Sequence, residues 1–325
     1  MSADRRDAGM ETLARAGQLL RDGRPLEAKH LLEARFSVQP WPSDARLLLA
    51  QSLTRLGDAA AAEAALRAGV KRDKGHEGLS LALTDLLAAG GQMAEAEKVL
   101  RAALAVNRRA SRLAIRLAEL LVAERRASEA LKVTTPLVAG PTPEHGVLAQ
   151  HATTLKALGR GADALAVHKR AAEMYASSAV AHHNLASTLG DQAQFAGAEA
   201  SALRAFGQGG DAPQTWLVYA RALMGQNKLD AAQNAFEQAI ARRPDYIEAH
   251  RDLAQLIWMR TEDVGQAIAR LDQAIRAHPQ SHGLFEVRAA SLKYAGDLTG
   301  AYQTLLATLA GHPQVASLHL SLIHI

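Results

Sequence analysis

The 325-residue chain has no cysteine, which excludes a disulfide framework, a thiolate nucleophile and a thiolate metal site. Aromatic residues make up only 4%, so few large side chains exist to anchor a globular core or a stacked base. No run approaches the roughly 18 apolar residues that a membrane-spanning helix requires. The opening Met1-Ser2-Ala3-Asp4-Arg5-Arg6-Asp7 is charged and lacks the apolar stretch of a secretory signal, so a cytoplasmic protein without a membrane partner is expected. One sign of charge hardly outweighs the other: 37 basic against 33 acidic residues leave a net charge of +4. No basic run interleaves with aromatics, so nucleic acid is not an expected partner.

What the sequence has in abundance is alanine, and the alanines keep step. Ala28, Ala62, Ala96, Ala130, Ala164, Ala198, Ala232, Ala267 and Ala301 are 34 residues apart, with one interval of 35 before Ala267. A second series, Ala16, Ala50, Thr84, Ala118, Ala152, Ala186, Ala220, Ala254 and Ala289, runs in the same register. Three residues after each of these stands Leu19, Leu53, Leu87, Leu121, Leu155, Leu189, Leu223, Ile257 or Leu292. Nine matches at three positions define a repeat. The stretch from Trp216 to Pro244 shows one copy: Trp216, Ala220 and Leu223, a polar bend at Asn227-Lys228, then Ala232, Phe236, Ala239 and Pro244. Spacings of 4 and 3 give one apolar face on each of two helices. Small residues sit where the helices must approach closely, and proline follows the second helix because it cannot continue one. Gly23, Gly57, Gly91, Gly159 and Gly296 mark the bends.

This pattern resembles the tetratricopeptide repeat (TPR), a helix–turn–helix unit of 34 residues. The resemblance implies an all-α, right-handed α-solenoid of nine repeats plus the start of a tenth, because a single helix pair cannot bury its apolar face without a neighbour. The divisions expected are an N-terminal tail over 1–8, repeats one to four over 9–144, repeats five to nine over 145–315, and a truncated helix over 316–325. Pro136 should kink or end the second helix of repeat four, and Gly140-Pro141-Thr142-Pro143 marks a boundary or hinge. The one-residue insertion, placed near Thr261–Gly265, should lengthen the turn of repeat eight. The last helix is expected to expose Leu318, Leu320, Leu322 and Ile323 without a polar cap. Truncation explains this best. Adapter read-through over Leu320 to Ile325, or self-association through the uncapped C-terminal end, are the other readings.

Motifs that suggest chemistry fail on context. His250-Arg251-Asp252-Leu253 matches the start of a kinase catalytic loop and, through His250 and Asp252, two ligands of an iron triad. The required asparagine is replaced by Ile257, and the residues fall on a helix. Gly207-x-Gly209-x-x-Ala212 follows a helix rather than a strand, so turn chemistry accounts for it. His151, His168 and His182 take packing positions near one repeat junction, and a zinc site there is the minor reading beside hydrogen-bonded core histidines. No catalytic residue, cofactor or metal site is assigned.

The resemblance places positions 2, 5, 9, 12 and 13 of each repeat in a concave groove. In repeats one to five these include Gln51, Asp85, Glu119 and Lys156, which are mixed or acidic. In repeats six to nine they include His183, Asn184, Ser187, Arg221, Arg251, Gln255, Trp258, Lys293 and Tyr294, which are basic and polar with two aromatic anchors. A protein-interaction scaffold that takes an extended acidic peptide, or the C-terminus of a partner protein, in this groove is the function expected. The segment from Ala249 to Trp258 is also similar to TPR regions that precede a 2-oxoglutarate/iron oxygenase domain in bacterial proteins. That gives the alternative: a non-catalytic targeting region whose enzyme lies beyond residue 325. The residue pairs Arg251/Gln255 and His183/Ser187 depart from the lysine and asparagine with which family members grip C-terminal carboxylates.

Overall fold

A computed structural model describes residues 3–37 and 41–324, with side chains described from residue 9 onward. Most of the expected tail at 1–8, Pro40 of the loop after the first repeat, and Ile325 therefore fall wholly or partly outside that description. Among the described residues the chain forms nineteen helices and no strand. None is long and apolar enough to cross a membrane.

The helices divide into two compact units, Met1–Arg160 and Gly161–Ile325. The first holds α1 (Ala3–Arg21), α2 (Pro25–Arg35), α3 (Ser43–Arg55), α4 (Ala59–Arg72), α5 (Glu77–Ala89), α6 (Met93–Val106), α7 (Ser111–Ala123), α8 (Ala127–Val138) and α9 (His145–Ala157). The second holds α10 (Gly161–Met174), α11 (Ala179–Asp191), α12 (Phe195–Gly207), α13 (Pro213–Gly225), α14 (Leu229–Arg242), α15 (Ile247–Thr261), α16 (Val264–Ala277), α17 (His282–Tyr294), α18 (Leu298–Gly311) and α19 (Ala316–Ile323). Within each unit every helix packs on its sequence neighbour, and each odd helix also touches the next odd one, as in α3 with α5 and α15 with α17. The odd helices thus form the tighter row, which is the inner side of a curved stack.

The alanine registers are the seams of these stacks. Ala28, Ala62, Ala96, Ala130, Ala232 and Ala301 have no exposed surface, and Ala267 has 1%. The odd-helix series is equally closed, and Thr84, its one polar member, is fully buried with its hydroxyl donating to the Ser80 carbonyl. A larger side chain at these crossings would hold the axes apart, whereas leucines beside them fill the remaining space.

Each bend between paired helices puts one residue in the left-handed region, again in register: Gly23, Gly57, Gly91, Arg125, Gly159, Ala193, Asn227, Glu262 and Gly296. Glycine adopts this geometry without steric penalty, while a Cβ there meets the following carbonyl. Ala193, at φ 55°, is exposed and gains nothing from its methyl group. Ala193→Gly should therefore stabilise the protein by about 0.5–1 kcal/mol, the relief of strain less the added chain entropy. A thermal melt followed by circular dichroism should move up by roughly 1–4 °C; a lower midpoint would contradict the strain argument.

Two sequence expectations are corrected. Leu318 of the last helix, expected to be exposed, is fully buried. Helix α8 runs through Pro136 but does stop early, at Val138, two residues short of where the 14-residue α4 and α6 end in the same register. Proline lies in the last turn, so only one backbone hydrogen bond is lost. The Thr134 and Thr135 hydroxyls donate to the Ala130 and Leu131 carbonyls in the same turn. The inserted residue lengthens α15 rather than the turn behind it. That helix has 15 residues where α13 and α17 have 13. It closes on Glu262 at φ 54°, and Asp263 caps α16 by accepting from the Gly265 N–H. The capping pair lets the chain reverse in two residues, so the extra one is absorbed as helix.

Side chains also tie each repeat to the next. His182, His250 and His319 occupy equivalent first-turn positions, and each Nε2 bonds a carbonyl six residues back, at Ala176, Pro244 and Pro313 (2.8, 2.8 and 2.9 Å). Trp216 takes the same position and donates from Nε1 to Asp211 at 2.8 Å, while Arg242 lies over its ring. In the first unit Arg126 gathers Glu97, Glu124 and Glu129. Its hydrogen bond to Glu97 holds that carboxyl down to about 2.

Candidate functional site

The inner row of the second unit runs α11, α13, α15, α17. Between α13 and α15 lies an ionic cluster. Asp252, only 7% exposed, accepts Arg221 Nε on Oδ2 at 2.5 Å and faces Arg251 Nε from Oδ1 at 3.4 Å. Burial of a carboxylate is tolerated only when its oxygens are paired, and here two guanidiniums serve it. They also outnumber it. Both arginines remain about half exposed, at 45% and 54%, so the cluster presents a net positive charge to solvent.

Between α15 and α17, one interval along, the surface opens into a cavity of about 350 Å³. Its apolar wall comes from Ala254, Val264, Ala267, Val287 and Ala290. Trp258 and Tyr294 stand at the sides, and Arg251, Gln255 and Ser291 supply the polar groups. Tyr294 is 77% exposed. An apolar hollow with two aromatic edges and a few polar groups suits one bulky apolar side chain, oriented by a polar contact at the mouth.

Five of the nine residues read from the sequence thus come together across two adjacent intervals: Arg221, Arg251, Gln255, Trp258 and Tyr294. Lys293 donates instead to the His324 carbonyl, beside a second hollow that it lines with Glu286 and Leu320 and that shares Ala290 and Tyr294 with the first. His183, Asn184 and Ser187 stand on α11, away from the cavity. His183 is half buried and shares a hydrogen bond with Thr215 (Nδ1 to Oγ1, 3.2 Å). Burial lowers its pKa below the ordinary histidine range, so it is neutral at neutral pH.

The motif residues have structural employment. His250 is spent on the Pro244 carbonyl, and Asp252 on the arginines, so neither faces outward as a ligand pair would. His151, His168 and His182 are buried, as their packing positions implied. His151 Nδ1 bonds Thr134 Oγ1 at 2.7 Å. Among the described residues no group of three or more histidine, aspartate or glutamate side chains is placed to hold a metal ion.

Asp252 was not among the residues singled out as groove-lining. The signal that could have found it is a separation of 31. Arg221 with Asp252, Asp85 with Arg116, and Asp211 with Arg242 all pair across 31 residues, one repeat less about one helical turn. In the first unit that pairing, with Glu119 added, consumes Arg116 and leaves the corresponding face without a positive excess.

Family models for the tetratricopeptide repeat match residues 19–86 and 217–282. Compared by sequence with curated proteins, the chain finds no match. Solved structures with the same fold include a tetratricopeptide repeat protein from Parabacteroides merdae, at TM-score 0.57 and 12% identity over 76% of this chain and 98% of that one. Human IFIT1, solved as a dimer with PPP-AAAA, gives 0.57 and 14% over 92% and 84%. Pseudomonas aeruginosa pilF gives 0.51 and 18% over 66% and 97%. At such identities the likeness is one of fold.

Proposed function

From a chain that carries tetratricopeptide repeats, we propose a protein-interaction scaffold whose second unit grips an extended, acidic peptide segment along α13, α15 and α17. The observation that carries this reading is adjacency: a cluster with positive excess at Arg221, Asp252 and Arg251 lies directly beside a cavity edged by Trp258 and Tyr294. Arginine supplies orientation to a carboxylate, and a buried apolar anchor supplies most of the affinity.

Selection of a phage-displayed random peptide library on the full-length protein tests the reading. Enriched peptides should be acidic with a large apolar residue. Trp258→Ala should weaken their binding by about 2 kcal/mol or more, some thirtyfold. Because Trp258 also packs against the cluster of Ala254, Ala267, Leu271 and Val287, its melt should fall as well. Arg251→Ala, at an exposed position, should weaken binding with the circular dichroism melt close to that of the parent. A selection that enriches nothing, or peptides indifferent to both Trp258→Ala and Arg251→Ala, rejects this face as the binding site.

A further inference from the structure

We infer that the cavity between α15 and α17 binds a small molecule: a medium-chain carboxylic acid, its acid group at the mouth and its alkyl chain on the floor. The cavity is a local departure from the repeat. At the corresponding positions of the α13–α15 interval stand Leu229, Gln255 and Leu256, the last fully buried. Between α15 and α17 the same positions carry the smaller Val264, Ala290 and Ser291, and a hollow of about 350 Å³ opens. Ser291 adds no polar demand to it, because its hydroxyl donates to the Val287 carbonyl of its own helix at 2.9 Å. With Ala254, Ala267 and Val287 the floor is therefore aliphatic.

The same departure brings in charge. Arg251 takes the position of Leu217, which is buried one repeat earlier. Arg251 and Gln255 both line the cavity, and four residues apart on one helix their Cβ atoms lie about 5–6 Å from each other. Arg251 spends only Nε, on the long contact with Asp252. Its two terminal nitrogens and the Gln255 amide have no other partner among the described residues. A guanidinium fork and an amide so placed offer donors to both oxygens of a carboxylate. Because these donors share one small cavity with the aliphatic floor, a free acid satisfies both at once. The volume sets its size. At about 30 Å³ per heavy atom, the share of a molecule in liquid water, 350 Å³ accepts roughly twelve, a chain of about ten carbons with its two oxygens.

Isothermal titration calorimetry on the full-length protein tests this with hexanoate, octanoate, decanoate and dodecanoate, each below its micelle-forming concentration, and with 1-octanol. Affinity should rise about fourfold for each methylene buried up to decanoate and level off beyond it. Octanoate should bind about tenfold more tightly than 1-octanol, and Arg251→Gln should remove that preference. Ala290→Phe, which fills the hollow, should bring decanoate down to the affinity of hexanoate. Both positions are exposed, so these variants should melt with the parent. Affinity independent of chain length, an acid bound no better than the alcohol, variants that bind as the parent does, or no uptake of any acid each overturn the inference. The peptide library reads the scaffold separately. Peptides that bind through Trp258 and that no acid displaces leave the scaffold standing and remove this inference. Acids that bind in the expected order while the library enriches nothing leave this inference standing and remove the peptide site.

Discussion

Phe236→Ala should cost about 3–5 kcal/mol, which places it with the most damaging single changes this protein can suffer. Phe236 is fully buried and has the largest of the fully buried side chains in a cluster formed by α13, α14 and α15. Its surroundings make the upper part of that range the expectation. Ala220, Ala232, Ala235, Ala239 and Ala249 crowd the same cluster, and a methyl group cannot lean into a void as a leucine can. The cavity would therefore persist rather than collapse. In a repeat array, stability is close to a sum of repeats and nearest-neighbour interfaces, so the damage should be local. Hydrogen exchange should accelerate across α13 to α15 and stay unchanged in α3 to α7 of the first unit. Phe236→Leu, which keeps most of the volume, should lose less than half as much. A loss under about 1 kcal/mol would mean that the alanine seams tolerate a void, contrary to the packing argument.

That cluster was the most legible part of the sequence, and the reason is physical. Close helix crossings admit only small residues, so the requirement prints the same letter every 34 positions, and the structure buries the whole alanine series. The bends were half legible. Glycine announces the left-handed residue at Gly23 or Gly91, but Arg125, Ala193, Asn227 and Glu262 adopt the same geometry without announcing it, because one strained residue per repeat is tolerated. The inserted residue was visible as a 35 among intervals of 34. Its destination was not, since an insertion between Ala254 and Glu262 can extend a helix or a turn with the same register downstream. The site was legible as a set of outward positions on successive helices. It was not legible as geometry: nothing in the one-dimensional pattern separates Trp258, which edges a cavity, from Asn184, which does not. The part played by Asp252 was hidden for a different reason. A buried carboxylate is identified by its partners, and the closer of the two, Arg221, comes from a helix a full repeat away.

Because of that arrangement, Asp252→Asn should move stability and affinity in opposite directions. An amide keeps the shape of the carboxyl group but accepts through one oxygen only, and its NH2 turns a donor toward a guanidinium that is itself a donor. The hydrogen bond from Arg221 at 2.5 Å and the longer one from Arg251 both lose their anionic acceptor, and with it the ion pair. Bonds to charged groups contribute about 1.5–3 kcal/mol, and the half-exposed arginines place the loss near the low end. A chemical denaturation midpoint should fall accordingly. At the same time the two guanidiniums no longer share a buried counter-ion, and the surface between α13 and α15 becomes more positive. An acidic peptide selected on the parent protein should then bind the variant several-fold more tightly at low salt, with the gain fading as ionic strength approaches about 0.15 M and above. The alternative role for Asp252 is to aim the arginines at the ligand, and it predicts the reverse: weaker binding together with weaker folding. Anisotropy titrations of both proteins at two salt concentrations separate these outcomes. A drop in affinity would show that the clamp orients Arg221 and Arg251 for the ligand rather than competing with it.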